Sequence, residues 1–136
     1  MAERKIRITV GKITADAVLN DTKTAAAIWD ALPFSISGQT WGDEIYFGIP
    51  MKAKPENASE VVEKGDLAYW PPGSAFCIFY GPTPASRDGE IRAASPVTVF
   101  GRVLGDPTVF KPEVRRLGAA FFVEVSRLGF PASAHS

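Results

Sequence analysis

Cysteine occurs once in the chain, at Cys77, so no intrachain disulfide framework can form. Histidine also occurs once, at His135 near the C-terminus, where a solvent-exposed tail residue is the plain reading. A histidine-based triad or histidine-rich metal site is therefore excluded. Charge of one sign is not in excess: fifteen basic residues balance fifteen acidic ones. That removes the usual electrostatic basis for binding nucleic acid or anionic membranes. No apolar run approaches the roughly 18 residues of a membrane span, and no apolar signal core follows the N-terminal Met1-Ala2-Glu3-Arg4-Lys5. The expectation is a cytoplasmic, unprocessed protein. Glycine-rich phosphate loops are missing too, since Gly81-Pro82-Thr83-Pro84 carries too much proline to offer a row of N–H donors. Arginine is absent from the whole span between Arg7 and Arg87.

What remains is an ordinary globular composition, 46% apolar and 22% charged over 136 residues. That suits one core without disulfide or metal support. Residues 1–130 are read as a single domain and 131–136 as a disordered tail.

Ile6, Ile8 and Val10 alternate with Arg7 and Thr9, the period of a half-buried strand. Gly11-Lys12 turns the chain into a second strand from Ile13 to Leu19. Asn20-Asp21-Thr22 signals a helix start. Ala25, Ile28, Trp29 and Leu32 then form one apolar stripe, and Pro33 ends the helix. Strands follow at Phe34–Ile36 and Glu44–Ile49, with Ile45, Phe47 and Ile49 facing the core. Residues 50–60 form a polar surface loop, and Val61-Val62 begins a short strand. Leu67–Trp70, Ala75–Tyr80 and Val97–Leu104 complete the middle of the chain, with Gly81–Ser95 as a long irregular connection. Gly101 marks a bulge or a close backbone approach. Pro112–Leu117 is a short helix and Ala120–Val125 the closing strand. About seven or eight short strands favour a closed, mostly antiparallel β-barrel, because closure removes exposed edges. One main helix and one short helix would cap its ends.

The order of these elements resembles that of the cyclophilins. Gly11-Lys12-Ile13, Leu19 and Lys23-Thr24-Ala25 resemble the opening hairpin, leucine and helix start of that family. Gly73-Ser74-Ala75-Phe76-Cys77-Ile78 is similar to its Gly-Ser-Gln-Phe-Phe-Ile segment, and Val99-Phe100-Gly101-Arg102-Val103 to its Val-Phe-Gly-Lys-Val strand. The run from Gly65 to Gly73, its continuation Phe79–Pro84, and Trp41–Phe47 resemble a signature of small bacterial and archaeal cyclophilin-like proteins of unassigned activity. The resemblance implies a shortened cyclophilin-like barrel. It also implies a prolyl isomerase site that has lost its groups. The catalytic arginine would fall near Gly48, the substrate-binding glutamine at Ala75, a pocket phenylalanine at Cys77 and a pocket histidine at about Pro96. Efficient prolyl isomerisation is therefore not expected, and no residue is assigned a catalytic role.

The expected function is a groove that binds a peptide or small molecule, without cofactor, metal, nucleic acid or membrane. Alternatives are a divergent prolyl isomerase, or an enzyme of another class related to amide- and urea-processing cyclophilin-like subunits. Strand parity groups Glu44 with Tyr46, and Ala75 with Cys77 and Phe79. The resemblance places Trp70 in one cleft with Ala75 and Cys77, and Arg87 of the long loop would stand at its rim as a cation for an anionic ligand. Beside each stands a plainer role. Glu44 would be an exposed carboxylate, Arg87 a solvated loop residue and Cys77 a buried inert thiol. Trp70 and Phe79 would be core. Tyr69 and Thr83 complete the polar material available to a groove.

Overall fold

The computed structural model describes residues 3–128. The element order is β1 (Lys5–Val10), β2 (Ile13–Leu19), α1 (Lys23–Ala31), β3 (Phe34–Thr40), β4 (Glu44–Gly48), β5 (Ser59–Val62), β6 (Asp66–Trp70), β7 (Ala75–Phe79), β8 (Ile91–Val103), α2 (Phe110–Leu117) and β9 (Phe121–Arg127). Short 3-10 turns cover Pro71–Gly73 and Pro107–Val109. The protein is mainly β with two helices.

All strand pairings among the described residues are antiparallel. The strand order is β2-β1-β9-β3-β4-β7-β6-β8-β5, and β2 also pairs with β8. That pairing joins eight strands into a ring and leaves β5 attached to β8 alone. One hydrophobic cluster draws on all eight ring strands, including Ile6, Leu19, Phe34, Phe47, Tyr69, Phe76, Phe100 and Val123. Phe76 is its centre, stacked on Phe47 at 4.8 Å and edge-on to Phe100 at 4.9 Å. Both helices face this interior: Ala25 and Ile28 of α1 and Phe110 of α2 are fully buried in it.

Local chemistry sets the helix ends. Thr22 caps α1 by accepting from the Ala25 N–H at 3.0 Å, as a helix-start threonine does. Glu56, from the polar loop, completes the cap by accepting from the Lys23 and Thr24 N–H groups at 2.9 and 2.8 Å. These contacts, led by the Thr24 hydroxyl, hold the Glu56 carboxyl below its ordinary range. Glu113 of α2 accepts from the Lys12 N–H at 2.6 Å and pairs with Arg116. The Arg116 guanidinium is the main cause that brings its carboxyl down to about 2. Gly11 allows this approach, since a Cβ there would collide with the Glu113 carboxylate and its φ is +58°.

The sequence-based boundaries need four corrections. β5 begins at Ser59, within the expected 50–60 loop, because Ser59 pairs with Val97 of β8. β3 runs on to Thr40, because its second half pairs with β4 and β9. The connection after β7 is shorter than 81–95, since β8 begins at Ile91. Pro96 in that strand concealed it, being the residue type least suited to a ladder. α2 starts earlier, at Phe110, after the proline-led 3-10 turn. Gly101 shows both expected features. A Cβ there would lie 2.6 Å from the Val18 carbonyl oxygen, and the β6–β8 register shifts beside it. The tail from 131 and His135 lie outside the described residues.

Candidate ligand pocket outside the ring

Alternation along the middle strands gives the ring a second apolar face. Ile45, Phe47, Phe76 and Ile78 point inward, so Glu44, Tyr46, Ala75, Cys77 and Phe79 point outward. Such residues would normally meet solvent. Here β5 and the first half of β8 fold across them. Val62, Ile91, Ala93 and Val97 cover Ala68, Ala75, Cys77 and Phe79 to make a second buried cluster. At the margin of this cover a pocket of about 240 Å³ remains, lined by Trp41, Glu44, Tyr46, Trp70, Ala93, Ala94 and Val97.

The structure brings Glu44, Tyr46 and Trp70 together at this pocket. Ala75, Cys77 and Phe79 are 2%, 1% and 0% exposed and form the packed layer beneath the cover rather than the lining. Arg87 is exposed in the 81–90 loop and does not line the pocket. Its carbonyl instead closes a turn by accepting from the Glu90 N–H at 3.1 Å. Tyr69 points to the interior, where its hydroxyl donates to the Met51 carbonyl at 3.3 Å. Thr83 is buried within its own loop, bonded to Ser86 and the Arg92 carbonyl. Trp41, Ala93, Ala94 and Val97 were not anticipated as lining residues. The alternation Ile91-Arg92-Ala93 was the available signal for Ala93 and Val97, since it places them on the face of Ile91; it gave no sign of Ala94.

Trp70 and Tyr46 are held from outside the pocket. The Trp70 indole donates to Ser95 Oγ at 2.7 Å, and its ring occupies the space that a Cβ on Gly73 would need. Tyr46 donates its hydroxyl to Gln39 Oε1 at 2.8 Å. The Trp41 backbone N–H donates to the Glu44 backbone carbonyl at 2.9 Å across the turn containing Gly42. Asp43, next to Glu44 in sequence, turns away to pair with Lys111 at 3.1 Å. The two neighbouring carboxyls therefore do not form a facing pair.

Glu44 is the chemically distinct group. It is 6% exposed, and burial pushes its carboxyl up to about 7, with the Cys77 thiol as the one opposing hydrogen-bond partner. Burial likewise pushes the Cys77 thiol well up, so this cysteine is a neutral, buried group. Among the described residues no cluster of His, Cys, Asp and Glu could hold a metal ion.

Gly48 shares the outward parity of Glu44 and Tyr46 and pairs with Ala75. A Cβ there meets nothing closer than 3.6 Å, so packing does not demand glycine where the resemblance places an arginine.

A family model described as cyclophilin-like matches residues 4–120. The chain belongs to the cyclophilin-like family. Its fold is similar to the solution structure of a hypothetical protein from Archaeoglobus fulgidus. The two share 37% identity at a TM-score of 0.72, over 92% of this chain and 95% of that one. No curated protein matches the sequence. Among the described residues no helix is long and apolar enough to cross a membrane.

The packed layer under the cover makes a direct prediction for this cyclophilin-like chain. Ala75→Phe should destabilise the fold by about 1–3 kcal/mol, read as a lower chemical denaturation midpoint, because a phenyl group has no space beneath Val97 and Ala93. Ala94→Trp, at an exposed position on the pocket wall, should stay within roughly 0.5 kcal/mol of the parent.

Proposed function

We propose that the ring is a closed cyclophilin-like barrel serving as a binding module, and that its ligand is a small molecule or peptide side chain seated between Glu44 and Trp70. The observation that carries this reading is the combination in one pocket of a buried, near-neutral-titrating carboxyl with three aromatic side chains and small apolar residues. Small-molecule sites are mostly apolar with a few placed polar groups, and perturbed carboxyls mark functional positions more often than chance. The barrel reading is supported by the eight-strand ring of pairings and by a core cluster drawn from all eight strands.

Prolyl isomerisation is not the function we assign. The reaction must cross a barrier of ~18–20 kcal/mol, and a fixed cation beside the amide is the family's means of lowering it. No lining residue of this pocket is a cation, and Gly48 and Ala75 stand where the resemblance places the arginine and the substrate-binding glutamine. In a protease-coupled assay on Xaa-Pro peptides, the rate should fall at least tenfold below an ordinary cyclophilin, about 1.4 kcal/mol of barrier. A rate inside that margin would reinstate the isomerase.

The binding reading is tested by incubating the protein with a small-molecule extract of its source cells and recording native mass spectra. The parent should carry an adduct that Ala94→Trp, which plugs the pocket, lacks. An adduct retained by the plugged variant, or found on neither protein, would contradict the site.

A further inference from the structure

The pocket also indicates the charge of its ligand, an inference that rests on its being a ligand site. Trp41, Tyr46 and Trp70 stand around Glu44, and Ala93, Ala94 and Val97 complete the wall. None of these seven residues carries positive charge, and among the described residues no cation acts on the Glu44 carboxyl. The neighbouring charged groups are already partnered. Asp43 pairs with Lys111 at 3.1 Å, and Arg92 of β8 is held by Glu90 at 2.6 Å and Glu60 at 2.8 Å. The remaining titratable neighbours stay neutral or are bonded elsewhere. Burial pushes the Cys77 thiol of β7 well up and the Tyr80 hydroxyl up to about 12, while Tyr46 donates to Gln39. The β6 and β3 members of the wall, Trp70 and the adjoining Trp41, do not titrate.

An acid enclosed by aromatic rings is a recurrent solution for holding organic cations. The ring faces are electron-rich, and the carboxylate supplies a countercharge whose effect is enlarged by exclusion of water. A cavity of about 240 Å³ falls below the roughly 300–1,000 Å³ of sites for drug-sized ligands and cofactors. It suits one charged group on a short apolar stem.

We infer that the pocket binds a single alkylguanidinium or alkylammonium group, its charge set against Glu44 and its stem against Trp70, Ala93 and Val97. That chemistry has two sources, a small free amine or guanidine and the side chain of an arginine or lysine in a peptide. Binding requires the ionised carboxylate, so it releases a proton wherever Glu44 is neutral beforehand.

Calorimetric titration with n-butylguanidinium and its neutral isostere n-butylurea tests this. The parent protein should bind butylguanidinium about tenfold more tightly at pH 8 than at pH 6, because the carboxyl must ionise first and does so near 7. Butylurea should bind at least about tenfold more weakly at pH 8. Glu44→Gln should bind butylguanidinium at least about tenfold more weakly and without pH dependence, and Ala94→Trp should not bind it. Acetyl-Ala-Arg-Ala-amide separates the sources. Tighter binding than butylguanidinium assigns a peptide, weaker binding a free molecule, and either supports a cation site. Equal affinity for butylurea and butylguanidinium, or an unaffected Glu44→Gln variant, would overturn the cation assignment while leaving the pocket a ligand site. Binding by none of these probes would overturn the cation assignment as well. If, in addition, no extract-derived adduct formed, the ligand-site reading would fall with it.

Discussion

Replacing Gly101 with valine is expected to cost about 3 kcal/mol or more, the largest loss from any single substitution considered for this fold. Gly101 pairs with Leu19 at the contact between β2 and β8, the pairing that completes the ring. Its hypothetical Cβ would sit 2.6 Å from the Val18 carbonyl oxygen and 3.3 Å from the Leu19 Cα. Both obstacles are backbone, so no rotamer change relieves them. The same seam is tied by Asn20, whose N–H and side-chain amide donate to the carbonyls of Phe100 and Val99 at 2.9 Å each. Forcing the strands apart would cost these bonds and loosen Phe100 from the core. Since whole domains are stable by only about 5–15 kcal/mol, the loss should be plain in a urea melt. A midpoint equal to the parent's would show that the two strands do not approach as closely as described.

The second large effect is on pH dependence and belongs to Glu44. In the unfolded chain this carboxyl titrates near 4.5, and in the folded protein burial raises it to about 7. Between those values the folded state holds a proton that the unfolded state has released. Stability therefore falls as pH rises from 4.5 to 7 and is level above, which is the sign expected for a raised carboxyl. The full difference is on the order of 3 kcal/mol. Glu44→Gln keeps the size and polarity of the protonated group. Its stability should match the parent at pH 4.5 and exceed it by on the order of 2–3 kcal/mol at pH 8. Urea melts of both proteins across this range check it. Parallel pH curves would mean that Glu44 is not held neutral by its surroundings.

The sequence revealed the interior more readily than the site, for a physical reason. The interior depends on period-two alternation, which is local. Ile6, Ile8, Val10, Ile45 and Phe47 could be assigned inward from their own strands, and all are buried in the central cluster. The outward parity of Glu44 with Tyr46, and of Ala75 with Cys77 and Phe79, was equally legible. What lies above an outward face is a nonlocal matter. The first half of β8 crosses over β6 and β7, and Pro96 broke the pattern that would have shown it as strand. Without that cover, Ala75, Cys77 and Phe79 looked like lining, whereas Ala93, Ala94 and Val97 take that place. Glu56 was hidden in the same way. A carboxylate in a polar loop gives no local sign that it caps a helix about thirty residues earlier, as its bonds to Lys23 and Thr24 do. Arg87 shows the converse. Its place in a proline-rich connection suggested a rim, but the loop folds on Thr83 and Ser86 and leaves it exposed and away from the pocket.

At the wall of an outward-facing aromatic pocket this cyclophilin-like protein keeps a buried carboxyl poised near neutrality. The most direct test is the carbon-13 chemical shift of the Glu44 carboxyl, followed by NMR from pH 4 to pH 9. A midpoint near 7 is expected, with the indole signals of Trp41 and Trp70 moving in the same titration. A midpoint in the ordinary carboxylate range, near 4.5, with both indoles unmoved, would contradict it.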